Sequence, residues 1–348
     1  MYNNIIEAEY LKDYVRPVTE EDRKNLPRLS YSSLEVFKNC PYQFNMKYNE
    51  KKRANETTLA LELGSILHKV LEELGKYYIN NTTPNFEELE FILHYGVTDT
   101  DEKTKEQLLG IDDLKCKYFE EWFEKDNASG MDYSQKMNLF KTVLKKEMTD
   151  QSVWHPLYTE LPFEFVYKDR VIFIGFIDRV DINDNGDYKT IDYKSSKKIY
   201  DKSKTTTSLQ FGIYALAILN MFGKLPIEFE YRFITIDQVQ TAMTSGWEKR
   251  LEKQIDKILD NIDKCKETGI WIPSPSPLCH WCYASNTNPK AIQYKGECEY
   301  YSLWTPTNKR WDVNKRFNAF DLTDTKDVNK INNNNKNGSD KKQRKLIF

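Results

Sequence analysis

Three short runs rich in β-branched and aromatic residues, ELPFEFVYK (160–168), RVIFIGFIDRVDI (170–182) and DYKTIDYKSS (187–196), interrupt a chain that otherwise reads largely as helix. The last two are separated by Asn183-Asp184-Asn185-Gly186. Those residue types accept the left-handed backbone of a tight reversal, so the spacing predicts a β-hairpin. A hairpin fixes register, and register decides which side chains meet. Residues two apart on a strand share a face, so Asp192 and Lys194 point the same way, and pairing through the turn is expected to bring Asp178 beside them.

Around this hairpin the pattern is helical. Ser32-Ser33-Leu34-Glu35 offers a capping box for a helix through Leu34, Phe37 and Cys40, disturbed near Pro41. In LALELGSILHKVLEELGKYY, Leu63, Leu67, Val70, Leu71 and Leu74 recur at helical spacing. Residues 84–150 read as helical and charged. Downstream, a helix from about Ser208 to Phe222, a strand IEFEYRFITI and a charged helix from about Trp247 to Thr268 are expected. A Pro/Ser stretch (273–277) then leads into a cysteine-rich segment.

Composition narrows the class. With 348 residues and 14% aromatics, the chain can bury a substantial core. No window approaches the roughly 18 apolar residues of a membrane span, and the first residues lack the apolar stretch of a secretory signal. Six cysteines are too sparse for a disulfide scaffold. The expectation is a cytoplasmic protein with no membrane contact. The Asn-, Lys-, Ile- and Tyr-rich usage suggests an AT-rich genome, and a viral protein acting in a host cytoplasm is among the options. Charge is uneven: residues 307–348 hold 11 Lys+Arg against 5 Asp+Glu, leaving 40 against 48 in the preceding 306. Nucleic-acid binding would therefore rest on local patches. The segment 307–348 also has 9 Asn and little apolar material, so it reads as a disordered basic tail.

Two carboxylates without intervening bulk form a hard-oxygen nest for Mg²⁺ or Mn²⁺, and a Lys beside them can orient an activated water or offset charge developing on a phosphate. The bland alternative, solvated acids on an exposed hairpin, is weakened because Asp192 stands between Ile191 and Tyr193 in an apolar strand. Cys279-His280-Trp281-Cys282 is a CxxC, Cys298 follows after 15 residues, and Cys40 stands far upstream. Such thiols suit zinc or an iron–sulfur centre. Cys116 and Cys265 lie in charged helical stretches and read as free thiols.

GFIDRVD followed by IDYKSSK resembles the active-site hairpin of the PD-(D/E)XK nuclease superfamily, in its RecB/AddB-like branch, which includes CRISPR-associated RecB-like iron–sulfur exonucleases. LSYSSLEVFKNCPYQF, LELGSILHKVLEEL and SLQFGIYALAI resemble further blocks of that branch in the same order, from about Leu29 to Cys298. The resemblance implies an α/β fold: a mixed central sheet flanked by helices (a restriction-endonuclease-like core), a helical N-terminal part and a Cys-rich C-terminal cap. It divides the chain into an extension at 1–28, a nuclease domain at 29–306 with a cap at about 271–300, and the tail.

It further implies a metal-dependent DNA nuclease, an exonuclease on single-stranded ends being the leading expectation, for recombination, repair or replication. The alternative is a nuclease-fold protein that binds DNA or a helicase with weak or no cleavage. Catalysis would fall to Asp178, Asp192, Lys194, Gln210 and Tyr214, and Mg²⁺ or Mn²⁺ to His68, Asp178, Asp192 and the carbonyl of Tyr193. Gln210 and Tyr214 would steady Lys194 or contact the DNA backbone. Glu160 is a candidate for a further family acid, with Glu164 its rival. Cys40, Cys279, Cys282 and Cys298 resemble the ligands of a [4Fe–4S] cluster. The 15-residue interval before Cys298 is longer than the family's usual spacing, which keeps Zn²⁺, with His280 as a substitute ligand, an open alternative. Gln343, Leu346 and Phe348 resemble a sliding-clamp-binding peptide, and the chain has no P-loop, so any helicase motor would be a separate partner.

Overall fold

The computed structural model describes residues 6–52, 59–95, 141–147, 153–196, 198–243, 246–286, 288 and 291–298. After a 3-10 helix at Ile6–Tyr14, its elements in chain order are β1 (Val15–Arg16), α1 (Glu20–Asn25), β2 (Arg28–Leu29), α2 (Tyr31–Asn39), α3 (Pro41–Phe44), α4 (Leu59–Ile79) and α5 (Phe86–Tyr95). A helical stretch at 141–147 precedes β3 (Trp154–Tyr167), β4 (Val171–Asn183) and β5 (Tyr188–Lys194). Then come α6 (Lys202–Thr206), α7 (Leu209–Phe222), β6 (Glu228–Phe233), β7 (Gln238–Thr241) and α8 (Trp247–Thr268).

The strands form one seven-stranded mixed sheet of order β1-β3-β4-β5-β6-β7, with β2 paired to β4. Pairings along that order are antiparallel except β5–β6, which is parallel, with α7 in the crossover. The expected α/β class, a mixed sheet flanked by helices, is the observed one. The β4–β5 reversal is built as its sequence demands: Gly186 takes φ +72°, while the Asn183 side chain accepts from the N–H groups of Asn185 (3.0 Å) and Asp187 (2.9 Å).

The chain separates into two compact units. The first, 1–28 with 57–248, holds the sheet. Along β5 the two faces part cleanly. Ile191 and Tyr193 join Leu67, Val70, Leu71 and Leu74 of α4 in one buried cluster with Leu89, Ile92, Val143 and Leu144. The opposite face carries Asp192, in register with Tyr231 of β6, whose ring lies 4.6 Å from Phe211 of α7. From Leu209 to Leu219, α7 is buried throughout, consistent with its apolar circumference. Ser208 caps it and Gly223, in the left-handed conformation, ends it.

The second unit is 29–56 with 249–348. Here Trp271 stacks on Phe44 (5.8 Å) and meets Phe37 edge-on (6.5 Å). The expected cap at Ser32–Glu35 is displaced by two residues. Ser30 is the N-cap of α2, and it forms the reciprocal box with Ser33. Ser33 is buried and so available to the backbone, while Glu35 is engaged by Lys38 (2.6 Å) instead. Cys40 ends α2 and caps α3, where Pro41 takes the first helical position.

Of the stretch at 84–150, α5 and 141–147 are helical; residues 96–140, with Cys116, and 148–150 lie outside the described residues, as do the tail and Gln343, Leu346 and Phe348. Among the described residues no helix is long and apolar enough to cross a membrane.

Candidate functional site

Asp178 is placed by β4 and Asp192 by β5, and the Asp178 side chain is tied to β5 beside Asp192: Tyr193 N–H donates to Asp178 Oδ2 at 2.7 Å. Both acids are buried, Asp192 to 1% exposure. Asp192 Oδ1 accepts from Gln210 Nε2 (2.5 Å) and, at longer range, from the Tyr214 hydroxyl (3.4 Å). Its other oxygen, Oδ2, lies 2.5 Å from Lys194 Nζ as an ion pair, yet no donor is directed at it as a hydrogen bond. Gln210 closes the circuit, its Oε1 accepting from Lys194 Nζ at 3.3 Å and its Nε2 donating to Tyr214 at 3.0 Å. Gln210 and Tyr214, four apart on α7, thus face Asp192 together. Both are buried, and the partners they show are protein groups.

His68 of α4 and Glu160 of β3 complete the cluster. His68 Nδ1 lies 3.5 Å from Asp178 Oδ2 and 3.7 Å from Glu160 Oε1. One ligand atom from each of His68, Glu160 and Asp178 falls within 4.8 Å of the others. Glu160, which the sequence leaves in competition with Glu164, is therefore the acid at this place; Glu164 is instead bound by Arg23, whose Nη1 donates at 2.8 Å. Glu160 adopts φ +46° inside a strand. A left-handed non-glycine residue costs roughly 1–3 kcal/mol, strain that clusters at functional sites. No sequence signal marks it. A glycine does mark how closely α4 approaches: a Cβ on Gly75 would fall 2.1 Å from Thr159 Cγ2.

The electrostatics follow from burial among like charges. Burial, with the charge of Asp192, raises the Asp178 carboxyl against the pull of His68 and the Tyr193 N–H. Burial pushes His68 down, but Glu160 and the charges of Asp178 and Asp192 outweigh it and lift it to about 9. Burial likewise lowers Lys194, and Asp192 reverses this, holding the ammonium charged above its ordinary range. Burial and Asp192 keep Tyr214 a neutral phenol. The cluster is thus a buried excess of negative charge that attracts protons. With a hard-oxygen donor set, an imidazole and an undirected oxygen on Asp192, these residues fit a divalent cation.

Tyr193 turns the other way, where its hydroxyl lies between Arg179 Nη1 (3.3 Å) and Glu147 Oε2 (3.4 Å). Arg179 grips Asp181 through two bonds (2.6 and 2.9 Å), and Arg232 pairs with Glu147 and with Glu230 (3.0 Å). The residues directly after the two acids, Arg179 and Tyr193, are thereby tied together on the far face of the sheet.

In the second unit, Cys40, Cys279, Cys282 and Cys298 line one pocket with Asn39, Gln43, Ser274 and Ser276 among its walls. Cys40 Sγ accepts from the N–H groups of Ser274 (3.4 Å) and Gln43 (3.5 Å), and Cys279 Sγ from Ser276 (3.3 Å). Burial raises the Cys40 and Cys279 thiols and lifts Cys282 to about 11. None of these four described cysteines, nor buried Cys265, is joined in a disulfide. His280 is exposed and is not among the residues lining the pocket. Four half-buried cysteines, two of them accepting backbone N–H donors, fit a thiolate-ligated metal centre.

A family model described as the PD-(D/E)XK nuclease superfamily matches residues 28–287. No curated protein matches the chain.

Proposed function

The chain belongs to the PD-(D/E)XK nuclease superfamily, and from that premise we propose that it is a RecB-like, metal-dependent exonuclease acting on single-stranded DNA ends in recombination, repair or replication. The superfamily implies a nuclease that uses divalent metal to hydrolyse phosphodiester bonds. The observation that carries the reading is the convergence of Asp178, Asp192 and Lys194, linked through Gln210, beside His68 and Glu160.

His68, Glu160, Asp178 and Asp192, with the carbonyl of Tyr193, are the groups assigned to the ion. Mg²⁺ or Mn²⁺, when bound, supplies charge neutralisation at the scissile phosphate and acidification of the attacking water. Lys194 is held as an ammonium by Asp192. Its Nζ donates to the water or to a phosphate oxygen and offsets the charge that develops there. Gln210 fixes Lys194 and Asp192 in one plane of hydrogen bonds, and neutral Tyr214 buttresses that amide.

The four-cysteine pocket is assigned to a [4Fe–4S] cluster with a structural role. Four cysteines lining one pocket support a thiolate-held centre there. A 1–28 extension, a 29–306 nuclease domain capped at about 271–300 and a 307–348 tail complete the proposal. Gln343, Leu346 and Phe348 would dock on a sliding clamp, and a separate helicase would supply unwound ends.

The test is digestion of single-stranded DNA labelled at each end in turn, under a Mg²⁺ and Mn²⁺ titration. Progressive loss from one end, abolished by Asp192→Ala with DNA binding retained, is the expected result. No cleavage by the wild type with either ion would leave a nuclease-fold DNA- or helicase-binding protein. Anaerobically purified protein should be brown and contain iron; stoichiometric zinc without iron would remove the cluster.

A further inference from the structure

A large aromatic side chain is left in solvent in the middle of the sheet. Phe176 of β4 is 59% exposed. It stands two residues before Asp178, about 7 Å along the strand. Its partner in the antiparallel register is Pro162 of β3, also exposed, and the next pair on the same face is Ile174 with Glu164. A buried aromatic there would stabilise the fold; an exposed one does not, so the sheet gains nothing from Phe176 as it stands. On the opposite face the neighbouring position is closed: a Cβ on Gly175 would approach the Phe163 ring to 2.7 Å.

Beyond that apolar step lie two arginines. Arg23 and Arg28 both reach Glu164, Arg28 Nη2 at 3.8 Å, and Arg23 Nε also lies 3.5 Å from Glu20, so Arg28 is the less committed of the two guanidiniums. Arg28 keeps 51% of its side chain in solvent and Arg23 36%. Along β3 and β4 the order is therefore acid cluster, exposed ring and proline, then arginines: a place for a metal-activated phosphate, a flat apolar surface and a place for a second phosphate. An unpaired nucleic-acid strand presents that same alternation of phosphate and base. A duplex keeps its bases stacked inside, where Phe176 has nothing to meet.

We propose that the Phe176–Pro162 step, flanked by Arg23 and Arg28, is the track that leads an unpaired strand to the acid cluster, with a nucleobase stacked on Phe176 and a backbone phosphate at the arginines. This deepens the nuclease reading and rests on it. Base–aromatic stacking is tolerant of sequence, so the track predicts binding without strong base preference.

The test is fluorescence anisotropy on the full-length protein in EDTA, with two short labelled probes, an oligothymidylate and the same backbone carrying abasic sites. Wild type should bind the thymidylate at least several-fold more tightly than the abasic strand. Phe176→Ala should weaken thymidylate binding about tenfold and leave abasic binding unchanged, while Phe176→Tyr restores it. Arg28→Gln should weaken both probes alike and lower the slope of log affinity against log salt by about 0.7. Equal affinity of Phe176→Ala and wild type for thymidylate overturns the track, as does an equal loss on both probes or no wild-type binding at all. Parallel cleavage with Mg²⁺ keeps the outcomes apart: failure of wild type to cut while the Phe176 dependence holds removes the nuclease and not the track.

Discussion

At Asp192 the carboxylate is gripped by side chains: Gln210 and Tyr214 from one helix and Lys194 from its own strand. At Cys40 the sulfur is held by backbone, through N–H groups of Gln43 and Ser274. The first cluster sits on strands whose pairing fixes it to within one register, and on helices buried against them. The second gathers its cysteines from a helix end at Cys40 and from turns at 276–298. The difference teaches what each site would ask of the metal proposed for it. The acid site is organised by side-chain contacts across paired strands, so the proposed ion would find its ligands already placed. The cysteine site is organised by turns, so the proposed thiolate-bound metal would add to what holds them together.

Four experiments can break or sharpen this contrast. The largest effect is expected from Asp192→Asn, which keeps size and the oxygen facing Gln210 while removing the charge paired with Lys194: cleavage should fall on the order of a thousandfold. Melting temperature and single-strand affinity should be little changed; a collapse of the fold would mean the acid site is not organised as described. Cys282→Ser should do the reverse, removing the visible absorbance of the centre and lowering the melting temperature by about 5 °C or more. Retained stability without iron would undo the second half of the comparison.

Gly75→Ala tests how α4 holds His68 in place. The added methyl meets Thr159 Cγ2 at 2.1 Å, so the helix must retreat from β3, at a cost of about 1–3 kcal/mol. Activity should drop about tenfold, and Thr159→Ser, which deletes the opposing methyl, should restore both activity and stability. The smallest effect concerns acid. Asp22, bound by Arg16 (2.8 Å) and by Thr19 N–H (2.8 Å), has its carboxyl held well below the usual range by those hydrogen bonds. A depressed carboxylate contributes stability in full above its unfolded value of about 3.9, and loses it as pH falls toward the folded value. The melting temperature of Asp22→Asn should therefore lie below wild type at pH 6, with the gap closing below pH 4.

Much of this could be read from the chain. The turn at 183–186 located the β4–β5 hairpin, and the termini of α7 and α8 match their expected limits within a residue, because caps and periodicity are local signals. What was hidden is what other strands decide. β3 begins at Trp154, before the apolar run, since its first half pairs with the far end of β4. β7 is a short exposed strand of mixed polarity, formed because β6 offers it an edge. Glu160 gives no sign of its left-handed backbone, and its choice over Glu164 depended on Arg23, 141 residues away. The Arg179–Tyr193–Glu147 bridge was equally silent, its members being separated by 14 to 46 residues.

One feature of the sheet reaches beyond this molecule. β5 is the strand at which pairing changes from antiparallel to parallel, and the passage from Asp178 through α7 is unbroken. Every group assigned to the reaction except His68 and Glu160 is carried on that one passage. A layout of this kind is portable at one end: new connections can be spliced in after it without disturbing the cluster, whereas anything inserted before it must keep α4 and β3 where they are.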